Sequence, residues 1–261
     1  MNGLVLVDKP AGPSSFDVVK RLRGRYGVKA GHAGTLDPLA SGLLLCLLGP
    51  STRLARYLVG LDKRYLTEIR LGLVTTTGDG EGEIEEETEV VSREAVEALV
   101  GEIELTVPQA SAVKIAGERA YRLHRRGVSV EMPTRTSTIH SLKVRRYAPP
   151  LVELELDVSS GTYVRAIATA LGGHCRTIRR VVVGPFRVEE ADEECVLAPL
   201  AALVFLPERE LSDEEVALVR TGRAVPGKGD GPVALWADGE LVAVGQAGEG
   251  TIRPETVLPA M

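Results

Sequence analysis

Between Leu151 and Val158 the chain alternates, with Leu154, Leu156 and Val158 interleaved with Glu153, Glu155 and Asp157. A period of two sends the two sets to opposite faces, so the segment predicts a half-buried strand. Tyr65 to Val74 alternates in the same sense and predicts a second one. Leu43 to Leu48 is apolar at every position, which predicts an element buried on both faces. Val18, Val19, Leu22 and Tyr26 follow helical spacing instead, behind Ser14 and Asp17, the pair that closes a helix N-terminus. Ser92 predicts the cap of a short helix running to Val100. Tyr163 to Leu171 predicts another helix, entered through Ser159-Ser160-Gly161 and stopped by Gly172-Gly173. Towards the end, Ser212 and Glu215 form a second capping box, with Leu211 placed as a staple. Val233–Ala237 and Glu240–Gly245 then flank Asp238-Gly239, the signature of a tight hairpin.

These elements predict a main α+β domain over residues 1–206 and a small β module over residues 207–261, too short to be a separate enzyme. The longest apolar run, Leu200–Leu206, is seven residues, far below a membrane span. Asp8 and Lys9 end the N-terminal apolar stretch after Leu4–Val7, so no secretory leader is expected. Cys46, Cys175 and Cys195 are scattered without a CxxC spacing. That pattern predicts neither a zinc site nor a disulfide framework and fits a reducing cytoplasm.

The net charge of −5 hides a strong asymmetry. Residues 79–104 hold eleven acidic side chains against Arg93, and the rest of the chain is left at +5. From Lys114 to Arg146 nine Lys/Arg face two Glu, a local +7, and Arg176, Arg179, Arg180 and Arg187 form a second basic cluster. A charged run by itself is commonly a solvated face. The alternative is a phosphate-binding surface kept apart from an acidic one.

The densest candidate for chemistry is Gly31-His32-Ala33-Gly34-Thr35-Leu36-Asp37-Pro38-Leu39-Ala40-Ser41-Gly42. Its glycines and proline force a sharp turn that presents a carboxylate, although an isolated Asp-Pro more often serves only its own turn. Two glycine-rich patterns carry no chemistry. Gly222 to Lys228 fits GxxxxGK, but Gly229 stands where a phosphate loop needs Ser or Thr. Gly78-Asp79-Gly80-Glu81-Gly82 is acidic and would repel a phosphate.

The Gly31–Gly42 string resembles the signature loop of the bacterial TruB-family tRNA pseudouridine synthases. Asp8-Lys9-Pro10-Ala11-Gly12, Lys63-Arg64-Tyr65, Ser111-Ala112-Val113-Lys114 with Gly117 and Arg119-Ala120-Tyr121, Gly161-Thr162-Tyr163-Val164-Arg165 and Ile178-Arg179-Arg180 are similar to further segments of that family, in order. The connection Leu171–His174 is shorter than the family's usual one. The resemblance implies a pseudouridine-synthase-type α+β domain with a mixed or antiparallel sheet, followed by a β module resembling the PUA RNA-binding domain. It implies isomerisation of uridine to pseudouridine at uridine-55 of the tRNA T-loop. Asp37 would be the catalytic carboxylate, Arg165 its basic partner, and Tyr65 the ring that stacks on the uracil. His32, Tyr163, Ile178, Lys9, Lys114 and Arg179 would contact the substrate. Tyr163 and Arg165, two residues apart, would point to one side if the backbone there is extended.

The chemistry implied breaks the N1–C1′ bond and forms C5–C1′, so no redox cofactor or metal is expected. The partner expected is tRNA, with no membrane and no obligatory protein partner. The carboxylate can serve as nucleophile or base, towards the sugar or the ring. Two rival readings are an RNA-binding protein without catalysis and a synthase acting on another RNA. The set Asp37, Tyr65 and Arg165 argues against the first, since binding alone needs none of it.

Overall fold

The computed structural model describes residues 1–111, 113–128 and 130–260. Ala112, a member of the Ser111–Lys114 match, lies outside the described residues, as does the side chain of Arg125 in the basic run. The chain divides into two compact units. One comprises Met1–Pro38, Gly42–Gly60 and the chain from Gly184 onward; the other comprises Leu39–Ser41 and Leu61–Val183.

In the first unit the strand Gly3–Lys9 pairs antiparallel with Ser41–Leu48 on one side and Asp192–Leu197 on the other. Ala30–His32 adds to Ser41–Leu48, again antiparallel. The all-apolar run is the centre of this arrangement, and Leu43 to Leu48 are all fully buried, as a strand covered on both faces requires. The helix Ser15–Tyr26 begins at the expected capping box: Ser14 Oγ accepts from Asp17 N, and Asp17 Oδ2 accepts from Ser14 N at 2.9 Å. Such a cap stabilises a helix by about 1 kcal/mol. Val18, Val19 and Leu22 form its buried stripe.

Residues 208–257 of the same unit build a separate five-stranded sheet, with Glu208–Glu210 parallel to Gly231–Ala237 and the remaining pairs antiparallel. The hairpin turns at Asp238 and Gly239, both at positive φ (51° and 76°), the backbone that a two-residue turn demands. The helix Asp213–Arg220 carries the second capping box and packs Val219 with Leu211, Val233, Leu235, Val242 and Ile252 into a core of its own.

In the second unit five strands run antiparallel in the spatial order Gly173–Val183, Lys63–Leu71, Leu151–Val158, Thr134–Ala148 and Gly101–Thr106. The alternation of Leu151–Val158 is realised in full: Val152, Leu154, Leu156 and Val158 are buried. Tyr65 to Val74 is interrupted, because Gly72 at φ 84° breaks it into Lys63–Leu71 and Leu73–Thr75. The helix capped by Ser92 spans only Arg93–Glu97 and stops short of Val100. Val96 is its one buried side chain, enough to anchor a single turn, and Gly101 opens the next strand. The short connection after Leu171 is a single left-handed residue, Gly172 at φ 67°, from which the strand starts directly at Gly173. Among the described residues no helix is long and apolar enough to cross a membrane.

Candidate active site

Asp37 is half-buried in the loop after Ala30–His32, and both of its chain neighbours are pinned. Ser15 Oγ hydrogen-bonds both the N–H and the carbonyl of Leu36 at 2.8 Å. The carbonyl of Pro38 accepts from Gly12 N at 2.8 Å and from Lys9 Nζ at 3.3 Å. Lys9 is fully buried and also donates to the carbonyls of Pro10 and Pro13, at 2.9 and 2.8 Å. A buried ammonium is costly unless such acceptors surround it. Lys9, expected at the substrate, thus has three donor contacts on backbone carbonyls and braces the loop that presents Asp37. Ser15 was not singled out from the sequence. Its bond to Leu36 joins residues 21 positions apart, which no local pattern signals. His32, at the end of its strand opposite Cys46, is partly exposed at the start of the same loop.

In the second unit Tyr65 lies on the buried face of its strand, 8% exposed, with Leu156 opposite it on one side and Arg180 on the other. Its half-buried neighbour Arg64 is held by Asp157 through two hydrogen bonds of 2.8 and 2.9 Å, which helps to fix the register that buries Tyr65. Arg165 occupies the second position of the helix Val164–Ala170 and is 2% exposed. Its guanidinium donates to the carbonyls of Thr77 at 2.7 Å and Ala110 at 2.8 Å and lies 3.5 Å from Asp79. Asp79 is itself 4% exposed and accepts from Thr77 Oγ1 at 2.6 Å and from Glu81 N at 3.1 Å. The glycine-rich acidic segment is therefore the seat of a buried carboxylate that faces the Arg165 guanidinium. A local reading of its charge could not reveal that, since the two residues are far apart in the chain.

The expected common direction of Tyr163 and Arg165 fails. Tyr163 is the helix N-cap and Arg165 is already helical, and residues two apart in a helix do not share a face. Arg165 turns inward and Tyr163 remains partly exposed. Ile178 is buried opposite Thr67, and Arg179, next along the strand, is half-buried on the alternate face. Lys114 is exposed on a two-residue ribbon with Arg119, well separated in sequence from both groups.

The basic and acidic segments are not kept apart. The strand Thr134–Ala148 pairs with the acidic strand Gly101–Thr106, so that Thr136 faces Glu104 and Thr138 faces Glu102. Arg145 is engaged by Glu155 at 2.7 Å, Arg146 by Glu153 at 3.6 Å and Arg126 by Glu118 at 2.8 Å. Lys114 and Arg122, by contrast, are exposed, and Arg122 lies over the Tyr121 ring.

A family model described as TruB family pseudouridylate synthase (N terminal domain) matches residues 20–164. A relative from Thermobifida fusca (strain YX), tRNA pseudouridine synthase B, is 42% identical over 287 residues, covering 98% of this chain and 98% of the relative. Its namesake from Arthrobacter sp. (strain FB24) is 40% identical over 295 residues, covering 98% and 96%. Among solved structures, a Cbf5-Nop10-Gar1 complex contains a chain of similar fold: TM-score 0.71, 26% identity, covering 99% of this chain and 84% of that one. The class these likenesses define is the pseudouridylate synthases, enzymes that isomerise uridine in RNA, and the α+β architecture with a C-terminal β module is theirs. Within that class the chain belongs to the TruB family.

The packing around Arg165 is tight enough to test. Gly78 sits at φ 72°, and a Cβ there would meet Arg165 Cβ at 3.1 Å and Thr169 Oγ1 at 3.2 Å. Gly78→Ala combines left-handed strain with a forced shift of Arg165, and a urea melt should show a loss of about 1–3 kcal/mol. A melt that superimposes on the parent's would mean that this turn gives way easily and does not fix Arg165.

Proposed function

We propose that this enzyme converts uridine-55 in the T-loop of tRNA into pseudouridine, with Asp37 as the catalytic carboxylate. Family membership supplies the reaction class. The observation that carries the assignment to Asp37 is the bracing of its loop from both sides, Leu36 by Ser15 and Pro38 by Lys9 and Gly12. Catalysis needs a group held in place before the substrate arrives, and buried side chains spent on a loop's backbone do that.

The target base leaves its stack at a cost of a few kcal/mol. Tyr65 offsets this by stacking on the uracil, a contact worth roughly 1–3 kcal/mol. Asp37 then acts on the sugar or the ring while the N1–C1′ bond breaks. The uracil turns, C5 bonds to C1′, and the C5 proton is lost as N1 gains one, so the product is an isomer of the substrate. Arg165 supplies the positive charge of the site, and His32, Tyr163, Ile178 and Arg179 shape the pocket for the flipped nucleotide. Residues 207–261 act as a PUA-like RNA-binding module, and residues 1–206 as the catalytic domain. The enzyme works in the cytoplasm, on tRNA, without a protein partner.

Two experiments test this. Pure protein and an unmodified tRNA transcript should yield one pseudouridine, at the T-loop position, by chemical mapping. Asp37→Asn should abolish product while tRNA affinity stays within about threefold; turnover by that variant would remove Asp37 from the chemistry. The second concerns the basic run. If Lys114 and Arg122 lie on phosphates while Arg145 and Arg146 are occupied by glutamates, the salt dependence of binding will separate them. Lys114→Gln with Arg122→Gln should lower the salt slope by about 0.7 per lost contact, and Arg145→Gln with Arg146→Gln should leave it nearly unchanged. Slopes unchanged from the parent's for both pairs would return the whole run to a solvated face.

A further inference from the structure

Lys63 begins the strand that carries Tyr65 and shares its buried face, two residues earlier. In register it lies opposite Val158, the last residue before the Ser159–Thr162 turn. Its ammonium reaches forward to that turn, donating to Ser160 Oγ at 3.1 Å, and also to the carbonyl of Leu61. The turn is fastened from the other side by Ser159. Its N–H donates to Thr138 O at 2.9 Å, and its Oγ accepts from Thr138 N at 2.9 Å. Beyond the turn the helix of Arg165 starts at Tyr163 with no side-chain cap, so the turn's position sets where that helix begins.

We infer that Lys63 is a positioning residue for the isomerisation. Through Ser160 it fixes the turn that launches Tyr163 and Arg165 against the strand that presents Tyr65. The inference rests on the site proposed above. It assigns a role to a member of the Lys63-Arg64-Tyr65 segment that does not itself touch the base.

The choice of lysine supports this reading. Arg180, opposite Tyr65 on the neighbouring strand, is 1% exposed, so two cations share one buried region. Burial, with repulsion from Arg180 added, pushes the Lys63 ammonium down to about 8, against a smaller opposing pull from Asp62. A lysine so placed opposes folding in its charged form, and a neutral side chain would link strand and turn at lower cost. Function at this position, rather than stability alone, accounts for the charge.

The test compares Lys63→Met, Ser160→Ala and the double variant in the full chain, with Asp37→Asn alongside. Misplacing reacting groups by about 1 Å costs on the order of a hundredfold in rate. Lys63→Met should therefore lower kcat about 10- to 100-fold, leave tRNA affinity within about threefold and leave the thermal midpoint unchanged or raised. Ser160→Ala should lower kcat as well, and the double variant should be no slower than the slower single one. The inference is overturned if Lys63→Met keeps kcat within about twofold. It is equally overturned if kcat falls only together with the melting midpoint, or if the two losses multiply in the double variant. Asp37→Asn separates the two levels: normal turnover by that variant removes the proposed site itself, whereas an inactive Asp37→Asn beside a normal Lys63→Met removes the role of Lys63 alone.

Discussion

A guanidinium with 2% exposure is tolerable only if its donors and its charge are all answered, because an unpaired buried charge costs several kcal/mol. Arg165 imposes that constraint on the second unit. Among its partners are the carbonyl of Thr77 and the carboxylate of Asp79, from one turn, and the carbonyl of Ala110, from a separate stretch. Each must arrive in place for the others to be worth their burial. The turn at Thr75–Asp79 is closed by Thr75 Oγ1 on the carbonyl of Asp79 at 2.7 Å and by Thr77 Oγ1 on its carboxylate. Gly78 has no side chain where Arg165 and Thr169 pass. The network also ties the helix of Arg165 to Ala110, just before the segment bearing Lys114 and Arg122. Buried charge is rarely the cheapest way to hold a fold together, since an apolar substitute is often as stable. Under the function proposed above, its presence is explained by the chemistry that a fixed positive charge serves.

The same logic separates the roles of the other cations. Lys9 and Lys63 are buried and spend donors on backbone and hydroxyl groups of the loops around them, the pattern of cations that hold geometry. Arg145 and Arg146 are exposed but matched by glutamates of the adjacent strand. A chain with a net charge of −5 can still present a local positive surface, provided that its acidic residues are not interleaved with that surface. Here they are partly interleaved, since Arg126, Arg145 and Arg146 of the basic run are each paired with a glutamate.

Much of this was legible in the sequence wherever the cause is local. The capping boxes at Ser14 and Ser212, the Asp238-Gly239 hairpin and the buried Leu43–Leu48 strand each depend on residues within a few positions of one another. The TruB-family resemblance was also legible, because it rests on several motifs in order. What the sequence withheld depends on pairing between distant segments. Asp79 looked like a phosphate-repelling loop because its partner, Arg165, is remote in the chain. Tyr163 and Arg165 were expected side by side because nothing local marks the residue at which the backbone turns helical. The apposition of acidic and basic strands follows from the register of Thr134–Ala148 with Gly101–Thr106, and charge counts along a chain carry no information about register.

Under the proposed function the Arg165–Asp79 pair is held for chemistry and not merely for the fold. A double-mutant cycle under single-turnover conditions tests it most directly, with Arg165→Met, Asp79→Asn and the double variant, each also melted in urea. The account predicts that both single variants slow pseudouridine formation at least about tenfold at saturating enzyme, and that the double variant is hardly slower than Arg165→Met, since Asp79 acts through that side chain. Variants that melt earlier yet form pseudouridine at the parent rate would contradict it, and would make the pair a structural ion pair only.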